Sequence, residues 1–452
     1  MEWLFTLNLE RIWGVSAYDL ISVGSVSMNH SPSSRPTPCF IFIAIGMLTF
    51  LILLINISFK IILLQGLVFA VSSLLCPVIA ALYLLALRYC SLKEQRHLLN
   101  LALMTLYLFC IGIYVLVNLP AAEYMNENPV YQIIFDDIPK KFFATTISFS
   151  LSFYLPHLLF CAKSSNVLYS PKKCALLAVL GGLGFFCMDF YLLFSGPHAH
   201  SFRQVFIDSL MIASLLLLII GVVYLFFFLN DKQHESNNKE STLSPDALDF
   251  PLYEYLLCFA VAVTLMCLAC EYRLIALSGS SVLAASSIFF PITIMISTVI
   301  AELWGHQAQI KLTAAVIVAQ LIFDTSLMII VSFPSPSFFN LNPFYDYMMP
   351  RRLPAASLSL LVTFLSNGFL LHYFQTSQWR LPRPFRILAS NVLANSLLCL
   401  IDYSVLFGGI YSYDQIINLA KSVWQYKLVT TLLALPFVLW LCKRWETANH
   451  LA

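Results

Sequence analysis

Charge is what this chain lacks most. Only 11% of its 452 residues are Asp, Glu, Lys or Arg, against about 25% in soluble domains. That scarcity excludes an ordinary soluble globule. The few charges nearly balance, at +2, and no basic stripe runs along any segment; nothing points to nucleic acid as a partner. No nucleotide-binding motif is present, which argues against ATP hydrolysis by this chain. No intramembrane His/Asp cluster or nucleophile–base pair suggests catalysis, so the chain reads as a non-enzyme with no catalytic residue and no cofactor. A disulfide framework is also missing. The twelve cysteines are scattered singly, mostly inside apolar runs, as small buried side chains or free thiols. Cys267-Leu-Ala-Cys270 and His198-Ala-His200 have ligand-like spacings, but each stands alone, and neither is read as a metal site. A cleavable signal sequence is not expected either. Residues 1–37 carry Glu2, Glu10, Arg11 and Asp19 before a Ser- and Pro-rich stretch, the wrong order for one. They read as an N-terminal cytoplasmic segment, lying on the membrane surface or disordered.

What is present is apolar sequence. Hydrophobic residues make up 60% of the chain, and the mean hydropathy is +0.82. A spanning helix needs about 20 mostly apolar residues. Twelve segments qualify, near 39–57, 65–87, 98–119, 142–162, 174–195, 205–229, 251–270, 280–303, 312–333, 353–374, 387–408 and 422–442. The fold class is therefore all-α, a polytopic membrane protein in a lipid bilayer.

The punctuation between these segments is written twice. Pro77 and Pro291 each follow a serine pair, and they lie 214 positions apart. Pro120 and Pro334 repeat at the same separation, as do Asn128-Pro129-Val130-Tyr131 and Asn342-Pro343-Phe344-Tyr345. Asp189-Phe190-Tyr191 has its counterpart in Asp402-Tyr403-Ser404. Two six-helix repeats are expected, 38–229 and 250–445, joined by a polar cytoplasmic linker at 230–249. Lys and Arg concentrate in the loops after spans two and four of each half, and Lys443 and Arg444 follow the last span. Both termini are then cytoplasmic, in a multi-pass protein of the cell inner membrane. An even number of spans per half makes the repeats parallel, a pseudo-dimer within one chain.

Polar residues inside spans need a reason, because burying a charge there costs at least about 2.5 kcal/mol. Glu302, Asn395, Asp402 and Lys427 are the second-half candidates. Glu302, three residues before Gly305, can be interfacial or functional. Asp402, near the end of its span, suits an interfacial structural role. Glu271 and Arg273, at a helix end, can reach water by snorkelling. Lys427, in Trp424-Gln425-Tyr426-Lys427-Leu428, is at least a turn inside the last span and can hold an anion or an electron-rich ring edge. The first half has Gly182 in place of Asn395 and no lysine in its last span. Substrate is therefore expected in the second half.

These second-half residues resemble a known family. Phe290-Pro291 followed by Glu302-Leu303-Trp304-Gly305 is similar to the signature of the vitamin uptake transporter family, which includes the queuosine precursor transporters. Arg352-Leu-Pro-Ala-Ala-Ser357, Arg386-Ile-Leu-Ala-Ser390-Asn391 and the Lys427-to-Pro436 spacing match further family motifs in order. The resemblance covers roughly residues 255–445, with the first half a diverged copy. It implies import of a small planar solute, best guessed as 7-cyano-7-deazaguanine or a related base. It implies Lys427, Asn395, Glu302, Arg352 and Asn367 as substrate-region residues, with Tyr426 or Trp424 stacking on the solute. Three family aspartates are replaced, by Thr298, Leu370 and Leu398. The alternatives are a different vitamin-like solute, or a non-transporting scaffold or sensor of the same descent. Energy coupling stays open. Under the transport reading, Glu302, Arg352, Asn395 and Lys427 should converge on one mid-membrane cavity.

Overall fold

The computed structural model describes residues 38–120, 138–163, 171–194, 202–229, 252–271, 273–276, 282–336, 342–376, 381–409 and 412–451. The segment 1–37, the linker 230–249 and the His198–His200 loop lie outside the described residues. The protein is an all-α, multi-pass membrane protein, and twelve helices are long and apolar enough to cross a bilayer.

In the first half, α1 (Pro38–Ile57) leads into a short antiparallel hairpin, β1 (Ile61–Leu64) and β2 (Leu67–Ala70). Then come α2 (Ser72–Tyr89) and α3 (Leu92–Asn118), the latter opened by a Ser91–Glu94 capping box. Helix α4 runs as Ile138–Phe149, widens into a π turn over Ser150–Tyr154, and continues as Leu155–Lys163. Pro156 explains the widening: it has no N–H to donate, and its ring crowds the carbonyl one turn back. Helices α5 (Pro171–Phe194) and α6 (Arg203–Leu229) complete the half.

The second half follows the same order: α7 (Leu252–Ala269), a hairpin of β3 (Leu274–Ala276) and β4 (Val282–Ala284), then α8 (Ser286–Trp304), α9 (His306–Ser332), α10 (Asn342–Thr376), α11 (Arg383–Leu406) and α12 (Tyr413–Leu451). The spans expected at 65–87 and 280–303 therefore start later, at Ser72 and Ser286. The apolar residues ahead of them belong to hairpins. The first hairpin turns at Gln65 and Gly66, both with φ between +50° and +90°, the left-handed pair that matches strand twist in two-residue turns.

Helix α8 packs on α7, α9, α10 and α12, while α11 lies between α10 and α12. The halves meet where α1 contacts α7 and α9, and α3 contacts α7. Each half also caps a helix of the other. Lys60 donates to the carbonyls of Val331 and Phe333 at 2.9 and 3.0 Å, and the Leu63 N–H donates to Pro334 at 2.8 Å. Arg273 donates to the Leu119 carbonyl at 3.1 Å, and the Ala276 N–H to Pro120 at 2.9 Å. Helix C-termini expose unmatched carbonyls and a partial negative charge, so a cation there answers both. Lys60→Ala should cost about 1–3 kcal/mol and lower the thermal unfolding midpoint of the purified protein. An unchanged midpoint would mean that the contact carries no stability.

Candidate functional site

A cavity opens in the second half between α7, α8, α10, α11 and α12. It is small, with room for about one water molecule in this conformation. Its charged lining is Glu271, Asp402 and Lys427. Ser359, Thr264 and Ser286 add hydroxyls, and Phe290 adds a ring face.

Glu271 does not snorkel. Helix α7 ends at Ala269, and the chain turns through hydrogen bonds from the Cys270 N–H to Cys267 and from the Arg273 N–H to Cys270. The β3–β4 hairpin then folds back, which leaves Glu271 6% exposed and lining the cavity. Arg273 is likewise buried, committed to the end of α3. Burial, reinforced by the Asp402 carboxylate, pushes the Glu271 carboxyl well above the ordinary carboxylate range, while Arg352 and Lys427 pull it down. Its Oε2 has no hydrogen-bond partner among the described residues. Asp402 is also buried, one turn from the end of α11: it lines the cavity beside Leu398 and accepts a 3.1 Å hydrogen bond from Ser359. Lys427 is 3% exposed, and its Nζ sits 4.9 Å from the Phe290 ring centroid, a cation–π contact. Among the described residues its ammonium makes no hydrogen bond or ion pair.

Deeper along α11, a layer of buried amides begins. Asn391, Asn395, Leu398 and Asp402 recur at three- and four-residue spacing and so share one face of α11. Thr298 Oγ1 lies 2.9 Å from Asn391 Oδ1, and Asn367 donates to Thr298 at 3.3 Å. Asn395 donates to the Asn391 carbonyl at 2.9 Å. The amide oxygens of Asn367 and Asn395 are buried without partners among the described residues. Gln309 joins from α9, donating to the Phe364 carbonyl at 2.6 Å. Gly368 makes room for it, because a Cβ there would lie 2.0 Å from Gln309 Oε1.

At the far end of α8, Glu302 is held by two arginines, Arg383 at 3.0 Å and Arg386 at 2.8 Å. Arg383 also pairs with Glu446. Glu302 is thus near a helix end but covered, its side chain 2% exposed. Arg352 forms a separate buried pair with Asp324 at 2.5 Å and lies over the Phe323 ring. Gln320 donates to the other Asp324 oxygen at 2.7 Å and accepts from Ser357 at 3.1 Å. Trp424 donates to Ser396 at 2.8 Å, and the Tyr426 hydroxyl reaches the Ile288 carbonyl at 3.5 Å.

Of the sequence-derived residues, Lys427 lines the cavity, and Asn367 and Asn395 share the amide layer. Glu302 and Arg352 sit in two distinct ion-pair clusters. Trp424 and Tyr426 are engaged with protein atoms. The single cavity expected for Glu302, Arg352, Asn395 and Lys427 is not formed. The four are distributed along the bundle, with Glu302 and Arg352 each held by ion-pair partners of its own. Sequence reasoning assigned Asp402 and Glu271 to interfaces and passed over Asp324. The shared face of Leu398 and Asp402 was the available signal for Asp402. Nothing comparable marked Glu271, whose inward turn depends on the hairpin.

No curated protein matches the chain, and no solved structure does. A family match falls on the half that holds this lining. Residues 284–441 match the family model described as "Putative vitamin uptake transporter".

Proposed function

We propose that the chain is a membrane transporter that takes up a small planar solute rich in N–H donors, with 7-cyano-7-deazaguanine or a related deazaguanine as the best single solute. The observation that carries this reading is the cavity itself. It offers a buried Glu271 carboxyl oxygen and a Lys427 ammonium, neither with a hydrogen-bond partner among the described residues, the ammonium facing an aromatic ring. Such groups suit the N–H edge, the carbonyl and the face of a heterocycle. The vitamin uptake match supports the solute class.

The polar residues of α8, α10 and α11 supply a path. From Asp402 to Arg386, α11 advances about 24 Å at 1.5 Å per residue, passing the amide layer on the way. The cavity lies at one end, and the Glu302–Arg383–Arg386–Glu446 cluster closes the other. With the orientation expected from the Lys/Arg loops, the closed end is cytoplasmic and the cavity faces outward. In this account the ion-pair cluster is a gate. Glu302→Gln should loosen it and increase labelling of an Asn395→Cys variant from the cytoplasmic side several-fold. Equal labelling with and without Glu302→Gln would remove the gate.

The two halves act as parallel repeats of a pseudo-dimer in this account. Thr145 donates to Asp189 at 2.9 Å, as Ser359 does to Asp402, and the Lys60 and Arg273 caps occupy corresponding places. At the 214-residue separation the first half has Ala213 where the second has Lys427. It serves as a support, and the second half binds.

The test is a rescue assay. The chain is expressed in a bacterium that lacks both its own precursor transporter and precursor synthesis, the deazaguanine base is supplied, and queuosine in transfer RNA is scored. Queuosine above the empty-vector level is expected. None, with the protein shown to be in the membrane, would exclude that solute.

A further inference from the structure

The cavity holds an unbalanced charge. Glu271 and Asp402 face one ammonium, Lys427. Behind them, Arg352 of α10 and Asp324 of α9 cancel each other in their own ion pair. The other titratable groups about Glu271 are Cys267 and Cys270 on its own segment and the Tyr403 phenol on α11, with Arg273 two residues on. Arg273 is turned away to the end of α3. The thiols and the phenol are neutral in their ordinary protonated forms. One carboxylate charge is therefore left over in a buried place, where an uncompensated charge is expensive.

A single proton neutralises the set, and the hydrogen bonds say where it goes. Asp402 is served as a carboxylate by the Ser359 hydroxyl. Glu271 Oε2, buried in the same cavity, has no donor among the described residues. We propose that Glu271 is a proton-binding site, carrying the proton that leaves the Glu271–Asp402–Lys427 set neutral. The direction in which burial and Asp402 push this carboxyl agrees. The proton adds to a carboxylate oxygen and leaves from it, with no other bond made or broken. Its role in transport rests on the uptake reading, as the coupling ion bound in the solute cavity. The protonation itself is measurable without any solute.

The experiment is an infrared pH titration of the purified full-length protein in detergent or lipid, following the C=O stretch of protonated carboxyls. At neutral pH the wild type should show a protonated carboxyl band that disappears as pH rises. Glu271→Gln should remove its share of that band, to which the buried Asp189 and Glu254 also contribute, while Glu302→Gln keeps it. Neighbouring charges should move the titration in opposite senses. Lys427→Met shifts it to higher pH, because a favourable positive charge is gone, and Asp402→Asn shifts it to lower pH. A merely structural Glu271 would not respond in this way. A band of undiminished amplitude in Glu271→Gln, or folded wild-type protein with no such band at neutral pH, would overturn the proposal. Neither outcome touches the rescue assay, so the proton site and the uptake reading can fail separately.

Discussion

Lys427→Ala is expected to reduce solute uptake about 10- to 100-fold, with the protein still inserted in the membrane at wild-type level. Lys427 supplies the one cationic side chain in the lining of the cavity. A hydrogen bond to a charged group is worth about 1.5–3 kcal/mol, and about 1.4 kcal/mol is tenfold in affinity. Removal also leaves Glu271 and Asp402 facing each other without a counter-charge, and Phe290 without its cation. Folding should survive, because the Lys427 ammonium makes no hydrogen bond or ion pair among the described residues, and the carbonyl that accepts from Thr430 and Thr431 is kept in the variant. Lys427→Arg should restore uptake only in part, since a planar fork does not replace a compact ammonium beside a ring. Normal uptake by Lys427→Ala, measured with labelled solute in cells or vesicles, would exclude Lys427 from the site.

Arg352→Ala is expected to have the largest effect on stability, about 3–5 kcal/mol, the usual consequence of leaving one partner of a buried ion pair alone. Asp324 is fully buried, and after the substitution its Oδ1 would lose its guanidinium partner. Gln320 would still serve its other oxygen. The prediction separates a structural Arg352 from a solute-binding one. Adding Asp324→Asn to Arg352→Ala should recover much of the loss, because the stranded charge is gone. The double-mutant cycle should show coupling between the two positions. Thermal unfolding of the four proteins provides the measurement. Additive losses, with no recovery in the double variant, would mean that the pair is not what holds α9 to α10.

The spans and the helical class were legible because a bilayer demands long apolar runs, and few other structures produce twelve of them. The hairpins were not. Ile61–Leu64 and Leu67–Ala70 are as apolar as a helix, and a hydropathy window cannot tell one from the other. Only Gln65-Gly66 marks the turn. The site was legible in part, for a related reason. Lys427 stands out because a lysine inside an apolar span has few bland explanations. Asn367 and Asn395 were legible from the family motifs and come together around Thr298 and Asn391. Arg352 was legible as a residue but not as a partner of Asp324, which lies 28 positions away on another helix. Glu302 was poised between two readings by its place near Gly305, and the arginines that cover it come from the next hairpin of helices. Glu271 was misplaced because a carboxylate just past a span usually reaches water. Here the chain reverses into β3 and takes the side chain inward.

The central claim is that the charged cavity of the second half holds the solute. Equilibrium binding of labelled 7-cyano-7-deazaguanine to the purified protein tests it most directly. The account predicts one solute bound per chain, lost in Lys427→Ala and in Glu271→Gln, and kept in Asp189→Asn, the corresponding carboxylate of the first half. Binding unchanged in both cavity variants, or lost only in Asp189→Asn, would place the solute elsewhere and contradict the account.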